Sequence, residues 1–365
     1  MTTWVENGVI AVVIGGMFFL ACFLPGLLWQ FRRYGGFSFP RMLGLAAICL
    51  YGTALFAYTF LPLPEISEDW CRANAAHFNP QPFQFIGDIR RETAGLSALQ
   101  AAKSFAVLQV AFNVLLFVPL GVIVRRYFHR SAAVTVLIGF LVSLLIELTQ
   151  LTGLWGIYPC AFRVADVDDL MVNTLGTALG VLLAPAALFW MPHAQQLREK
   201  RLIPRPVTTM RRWLGMLVDL ILIVTTTFVL HAALALFGTV AGYDPDGRGL
   251  LPWSFIGAWA VVFLWPAWRG PSASLGQQAV WLAPRWRRDQ QWADGTLARR
   301  LAHASVIPGT IALLLLANSV VPSGLDALTF LLVALAFAAV PFTRGRRGLS
   351  GWLTGAEMHD LRAKP

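Results

Sequence analysis

The sequence predicts an all-α fold, a polytopic integral membrane helical bundle with about nine transmembrane helices. Hydrophobic residues make up 57% of the 365 residues and charged residues only 13%, whereas soluble domains have about 25% charged residues. The formal net charge of +10 comes from short basic clusters between apolar stretches, which is typical of topology signals in membrane proteins. We therefore expect membrane lipids as partners and no nucleic acid.

Nine apolar stretches have about the 20 residues that a helix needs to cross a bilayer. Residues 1–8 include Glu6 and no Lys or Arg, so we expect the first stretch to remain as a span and not to be cleaved as a signal peptide. The predicted spans are 9–29, 42–62, 105–124, 132–152, 169–190, 213–236, 252–268, 305–321 and 325–342.

The distribution of Lys and Arg predicts that the N-terminus lies outside and the C-terminus in the cytoplasm. If the spans alternate in direction, the inner segments contain 23 of the 29 basic residues and the outer segments contain six. Cytoplasmic loops of membrane proteins carry such an excess. We expect a multi-pass protein of the plasma membrane.

The segment 272–303, between the seventh and eighth spans, combines tryptophan and arginine. Trp281, Trp286 and Trp292 are interspersed with arginine residues, a mixture that suits the lipid headgroup layer. A solvated basic loop is compatible with the same composition. The sequence therefore does not distinguish an interfacial segment from a solvated loop.

A charged stretch that contains proline separates five N-terminal spans from four C-terminal spans. We expect five parts of the chain. They are an N-terminal helix with its inner loop (1–40), a first membrane domain (41–191), a cytoplasmic linker (192–206), a second membrane domain (207–356) and a C-terminal tail (357–365).

Four blocks of sequence in the first membrane domain occur in an order typical of one family. They are residues 79–83, residues 113–121, residues 147–150, and residues 163–169 with Asn173 and Gly176. On these blocks, the domain resembles the VanZ-like family. The resemblance implies a bacterial cell-envelope protein that binds a lipoglycopeptide or a cell-wall lipid intermediate. It also implies a role in antibiotic resistance, through lower susceptibility to teicoplanin.

The second membrane domain contains a different set of blocks. Arg212 lies just before its first span and Asp219 lies one third into that span, and two further blocks follow at 274–277 and 347–351. On these residues the domain resembles the RDD family, although Gly351 occupies the position where that family usually has its second Asp. The resemblance implies cation or proton exchange, or transport of a small solute.

Eight polar residues of the first membrane domain form the candidate ligand-binding site. Ionisable residues within a membrane are costly and are functional by default, and these all map to the outer half of the bilayer. We expect a pocket that opens outward under the 63–104 loop, in which the Arg side chain binds an anionic group. The eight residues are Asn113, Glu147, Gln150, Arg163, Asp166, Asp168, Asp169 and Asn173.

Two alternatives explain the same residues without an organic ligand. In the structural alternative, Asp166 is the N-cap of the fifth span, Asp168 and Asp169 complement its helix dipole, and Arg163 pairs with Glu147. In the metal alternative, the carboxylates hold Ca²⁺ or Mg²⁺. We place the metal alternative last and expect no metal and no other cofactor.

Two further pairs of residues give specific predictions. Arg212 and Asp219 are seven residues apart on one helical face, so the guanidinium can fold back and neutralise the carboxylate; an ion-handling carboxylate is the functional alternative. Cys71 and Cys160 both lie in outer loops, where a disulfide can form.

The sequence shows no catalytic set of nucleophile and base, so a binding protein is favoured over an enzyme. A cation or proton antiporter is the first alternative. An outer-face enzyme that acts on lipid-linked intermediates ranks last. For such an enzyme, Glu147 or Asp169 is the expected acid or base.

Overall fold

The computed structural model describes residues 2–63, 67–74, 78–241, 247–320 and 326–363. The chain divides into two compact units, residues 1–27 with 38–197, and residues 28–37 with 198–365. This division falls within the stretch 192–206 that we expect to be a linker, and it groups the end of the first helix with the second unit.

The fold class is a polytopic membrane helical bundle, as predicted. Within the described residues, eight helices are long and apolar enough to cross a membrane, and each overlaps one of the predicted spans. A ninth apolar helix, Ala327–Phe342, is shorter. The eight are Val5–Tyr34, Phe39–Phe60, Phe105–Tyr127, Ala132–Leu151, Val167–Ala187, Thr209–Val240, Gly249–Arg269 and Leu297–Val320.

The first part of the chain is helical apart from two very short strands. Phe105 starts a helix that ends in a π-helical turn at Ile123–Tyr127. The elements are α1 (Thr2–Tyr34), α2 (Phe39–Phe60), α3 (Glu68–Asn74), β1 (Phe78–Asn79), α4 (Gln84–Thr93), α5 (Ala98–Ala101), α6 (Phe105–Val122), α7 (Ala132–Leu151), α8 (Gly153–Gly156), β2 (Ala165–Asp166), α9 (Val167–Ala187) and α10 (Ala194–Glu199).

The second part adds a three-stranded antiparallel sheet in the order β4-β3-β5. The elements are α11 (Thr209–Val240), α12 (Gly247–Trp259), a π-helical turn (Ala260–Leu264), α13 (Trp265–Arg269), α14 (Leu275–Ala279), β3 (Leu282–Arg288), β4 (Gln291–Ala293), α15 (Leu297–Val320), α16 (Asp326–Phe342), a 3-10 turn (Arg344–Arg346), α17 (Gly348–Thr354) and β5 (Glu357–Asp360).

Segment 272–303 is folded and is not a solvated loop. It forms α14 and the β3-β4 hairpin, and β3 also pairs with β5 from the expected tail, so that Leu282 lies opposite Asp360. Leu282 is fully buried and Trp286 is only 3% exposed. A solvated loop would leave these side chains in water, so that expectation is wrong, and the position of the segment at the headgroup layer stays a prediction. The periodicity of so short a strand does not reveal its distant partner.

Helices α6 and α9 pack closely because glycines face each other. A Cβ at Gly180 would overlap the Val118 carbonyl and lie 2.9 Å from the Cα of Gly121, and a Cβ at Gly176 would overlap the Val114 carbonyl. Small residues at an interface let two membrane helices bring their backbones together. This contact holds the polar ends of α6 and α9 side by side.

We expect Gly180→Ala to lower the free energy of unfolding by about 1–3 kcal/mol, because the added methyl group meets backbone atoms that cannot move away cheaply. Thermal unfolding in detergent measures the loss. Gly52→Ala is the control, since a Cβ at Gly52 has no neighbour within 4 Å. A Gly180→Ala protein as stable as the control would show that α6 and α9 do not pack this closely.

Asp360 holds the second unit together at the sheet. Its carboxylate bonds the Arg211 guanidinium at 2.8 Å and accepts the Arg205 backbone N–H at 3.0 Å. Arg211 is 5% exposed and Asp360 is 6% exposed. Burial by itself raises the pKa of Asp360, but hydrogen bonds from Arg362 and Arg205 and the Arg211 charge outweigh it and lower the pKa to about 2.

We expect Asp360→Asn to destabilise the protein by about 3–5 kcal/mol, because it leaves the Arg211 charge buried without its partner. The stabilisation is complete above the ordinary carboxyl pKa of 3.8 and is lost as the pH falls towards 2. Thermal unfolding at neutral pH checks the loss. Asp289→Asn is the control, since that side chain is 95% exposed, and equal effects of the two changes would contradict the prediction.

Candidate functional site

The start of α9 is built by carboxylates that accept backbone hydrogen bonds. Asp166 is the N-cap and accepts the Asp168 N–H at 2.8 Å. The N–H of Asp166 in turn donates to Glu147 on α7 at 2.9 Å. Capping by Asp supplies an acceptor for a helix N–H that has no partner within the helix. The structural alternative for Asp166 therefore describes its geometry correctly.

Asp168 ties the segment before α4 to α9. Its carboxylate accepts the backbone N–H of Phe83 at 2.5 Å and that of Phe85 at 2.9 Å, and the residue is only 5% exposed. The residue that precedes α4, Phe83, has a φ of 65° and makes no side-chain cap. Asp168 thus supplies the cap that the sequence next to α4 lacks, and it fixes where α4 begins.

Three further contacts lie around the starts of α6 and α9. Strand β1 pairs in parallel with β2, so that Asn79 lies opposite Asp166, and the Asn79 amide donates to the Asp166 carboxylate at 3.1 Å. Asn113 on α6 donates to Asp169 at 2.6 Å. At the start of α6, Glu92 accepts the Ala106 N–H at 2.9 Å.

A disulfide joins the two cysteines that the sequence places in outer loops. Cys71, on α3, is bonded to Cys160, before β2, with 5.8 Å between the Cα atoms. The bond spans 89 positions of the chain. It fixes α3 next to the loop that leads into α9.

An open cleft of about 560 Å³ lies beside these contacts. Among the described residues that line it, five carry carboxylates and one is an arginine, so its charge is negative. Three amides and five apolar residues complete the lining. The lining residues are Asn79, Gln84, Phe85, Asp88, Arg91, Glu92, Phe105, Ala106, Gln109, Val110, Asp166, Asp168, Asp169 and Val172.

Of the eight residues expected to form the site, three line the cleft: Asp166, Asp168 and Asp169. Asn113 and Glu147 lie behind them, bonded to Asp169 and to the Asp166 backbone. The other three face different partners. Gln150 donates to the Thr59 carbonyl at 2.8 Å, Asn173 to the Ser143 hydroxyl at 3.0 Å, and Arg163 to the Leu61 carbonyl at 2.9 Å.

Arg163 lies away from both positions that the sequence suggested for it. It does not line the cleft, and its side-chain hydrogen bond goes to a carbonyl and not to Glu147. Burial lowers the pKa of the Arg163 guanidinium, and the charge of Asp169 partly offsets this. The arginine of the cleft is Arg91, which pairs with Asp88 one turn earlier.

The sequence reasoning missed the contribution of α4. Asp88, Arg91 and Glu92 line the cleft, and their spacing of three and four residues puts them on one face of a helix. That spacing is readable from the sequence, but it does not show which way the face points. The two hydrogen bonds to Asp168, made between residues more than eighty positions apart, turn this face towards the cleft.

The described part of the chain contains no group of three or more His, Cys, Asp or Glu side chains placed to hold a metal ion. Four of the five cleft carboxylates are engaged by backbone or amide donors, and the fifth, Asp88, pairs with Arg91.

The neutralisation expected between Arg212 and Asp219 is not a direct ion pair. Asp219 accepts the Ser274 hydroxyl at 2.5 Å and the Gly276 N–H at 2.7 Å. Arg212 donates from Nη2 to the Arg347 carbonyl at 3.3 Å. The two charges still interact electrostatically, while two neutral donors at the start of α14 bond the Asp219 oxygens.

Residues 48–190 match the VanZ/LLP1 family. Over these residues, which we call the VanZ-like part, the chain is similar to that family. The matched range contains every residue that lines the cleft, from Asn79 to Val172, and all four of the sequence blocks. No curated protein and no solved structure gives a significant match. The VanZ-like part therefore contains the region that builds the cleft, and the match includes no residue of the second unit.

We expect Asp168→Ala to release α4 from the VanZ-like part, because two backbone donors lose their acceptor at a cost of about 1–3 kcal/mol each. Hydrogen exchange at the amides of Phe83 and Phe85 should become faster by about tenfold or more. Asp69→Ala is the control, since Asp69 pairs with Arg72 on the exposed surface of α3. Unchanged exchange at both amides would contradict this function of Asp168.

Proposed function

We propose that the VanZ-like part binds a lipid-linked or lipoglycopeptide ligand in its acidic cleft, at the outer face of a bacterial plasma membrane. The observation that carries the proposal is the cleft itself, in which five carboxylates and three amides converge beside apolar side chains. Convergent polar groups in an apolar concavity are the usual form of a ligand site.

The charge of the cleft favours a ligand group with amines or hydroxyls over a phosphate. Five carboxylates outnumber the single guanidinium of Arg91, and a charged amine forms strong hydrogen bonds with carboxylates. Amino sugars and the free amines of glycopeptides have this chemistry. The ligand group that we propose therefore differs from the anionic group first expected to bind Arg163.

The size of the cleft fits a part of such a ligand. Its volume of about 560 Å³ lies within the range of about 300–1,000 Å³ typical of small-molecule pockets. That space accommodates a sugar or a short peptide group. Phe105, which lines the cleft and is 70% exposed, offers an apolar surface to an attached acyl chain.

Two features support an outward orientation of the cleft. The Cys71–Cys160 disulfide lies in the same loops, and disulfides persist in oxidising compartments outside the cytoplasm. Of the 29 basic residues, 23 lie in segments that alternation then places in the cytoplasm, as expected for membrane proteins. Both support our proposal that the N-terminus lies outside and the C-terminus inside.

For the second unit we propose an RDD-like domain, on the sequence blocks around Arg212, Asp219 and residues 347–351. Cation exchange is the alternative function that this resemblance suggests, and the burial of Asp219 within α11 favours it. The two neutral donors on Asp219 weigh against a carboxylate that is free to bind a cation. Ligand binding in the first unit is therefore the proposal we favour.

The test is growth inhibition by teicoplanin and vancomycin in a sensitive Gram-positive host that expresses the protein. We expect wild-type protein to protect selectively against teicoplanin. Asp88→Asn and Asp169→Asn should each reduce the protection by about tenfold, the effect of losing about 1.4 kcal/mol of binding. Both changes keep the shape of the side chain and remove a cleft charge.

Asp69→Asn is the matched control at equal membrane levels. Asp69 and Asp88 each pair with an arginine three residues later, but only Asp88 lines the cleft. Undiminished protection by the two cleft variants, or an equal loss of protection in the control, would contradict the proposal. Absence of any protection by the wild type would remove teicoplanin as the ligand.

A further inference from the structure

The second unit contains a cavity with a buried charge and an apolar wall. Its volume is about 240 Å³, and its apolar lining includes Ile223, Phe255, Ile311 and Val333 from four helices. Arg212 lines the same cavity. A charged side chain next to an apolar cavity within a membrane domain is costly, and such residues mark binding sites by default.

The guanidinium of Arg212 is incompletely bonded. The residue is 5% exposed, and its Nη2 donates to the Arg347 carbonyl at 3.3 Å. Its Nε and Nη1 are buried and have no hydrogen-bond partner in the part of the chain that the structure describes. Buried donors are almost always paired in folded proteins, so we expect these two nitrogen atoms to bond an acceptor.

One carboxylate of the cavity lining already accepts two hydrogen bonds. Asp219 also lines the cavity, but its oxygens accept from Ser274 at 2.5 Å and from the Gly276 backbone at 2.7 Å. The carboxylate therefore lowers the electrostatic cost of Arg212 from a distance without bonding it. The charge and the two unbonded donors of Arg212 remain to be matched by something else.

We infer that this cavity binds an amphiphilic anion, with a carboxylate or phosphate at Arg212 and an apolar chain along the helices. An oxyanion supplies charge and acceptor oxygens together, and its hydrogen bonds with a guanidinium are among the strongest in proteins. The neutral side chains of Gln277 and Ser350 lie in the same lining and offer polar contacts beside Arg212.

The volume indicates how such a ligand sits. About 240 Å³ is below the usual range of about 300–1,000 Å³ for an entire small-molecule ligand. It suits an anionic headgroup with the first methylenes of a chain. The rest of the chain would then extend between the helices towards lipid. The site lies wholly within the second unit and does not depend on the function proposed for the cleft.

The experiment uses the full-length protein, purified in dodecyl maltoside, and two amphiphilic probes, lauric acid and dodecyl phosphate. Native mass spectrometry counts the bound probe, and the rise in melting temperature with probe concentration gives its apparent affinity. We expect one bound molecule of either probe and a rise in melting temperature. Acetate, inorganic phosphate and dodecyltrimethylammonium should give neither.

Two variants and one control locate the site. Arg212→Gln should weaken the apparent affinity by about tenfold or more, as expected for loss of charge-assisted hydrogen bonds. Ala336→Phe keeps Arg212 and fills the cavity that Ala336 lines, so it should abolish binding. Arg299→Gln removes an exposed charge of the same unit and should change the affinity by less than about twofold.

Equal binding to wild type and to both cavity variants would overturn the inference. So would equal binding of dodecyltrimethylammonium, or an equal loss of affinity in the Arg299→Gln control. Binding of acetate or phosphate as tight as that of the amphiphiles would overturn the part of the inference that assigns an apolar chain. If Arg212→Gln does not fold, the result with Ala336→Phe decides.

Discussion

Buried carboxylates that accept backbone N–H groups from distant parts of the chain organise both units. Asp168 accepts from the residues at the start of α4, Glu147 from Asp166, and in the second unit Asp219 and Asp360 do the same for residues before and after α11. Near lipid no water replaces a missing acceptor, so a backbone donor left unpaired is costly. The acidic residues therefore decide which irregular segments can fold against the helices.

The helical part of the fold was predictable because hydrophobic length alone determines it. A run of about 20 apolar residues must form a helix in lipid, and each predicted span overlaps a helix of the structure. The three-stranded sheet was not predictable in this way. Its strand β5 is four residues long, and its pairing depends on partners such as Leu282 and Arg211 that are distant in sequence.

The candidate site was predictable in part, for a related reason. The cluster at Asp166, Asp168 and Asp169 stands out because three carboxylates adjoin a membrane span, and all three line the cleft. The contribution of Asp88 and Glu92 did not stand out, because charges on a short polar helix are ordinary. Two of these carboxylates, Asp166 and Asp168, cap helices and also line the cleft, so the structural and the ligand-binding interpretations describe one arrangement.

The disulfide also limits how the first unit can thread through a membrane. Two cysteines can bond only when both reach the same side, so an even number of crossings must separate them. Phe105–Tyr127 and Ala132–Leu151 are those two crossings. The bond closes them into a covalent ring of chain, so that neither can invert alone without separating the cysteines. A covalent bond, as well as the charges of the loops, therefore keeps the two outer ends of this pair of helices on the same side of the membrane.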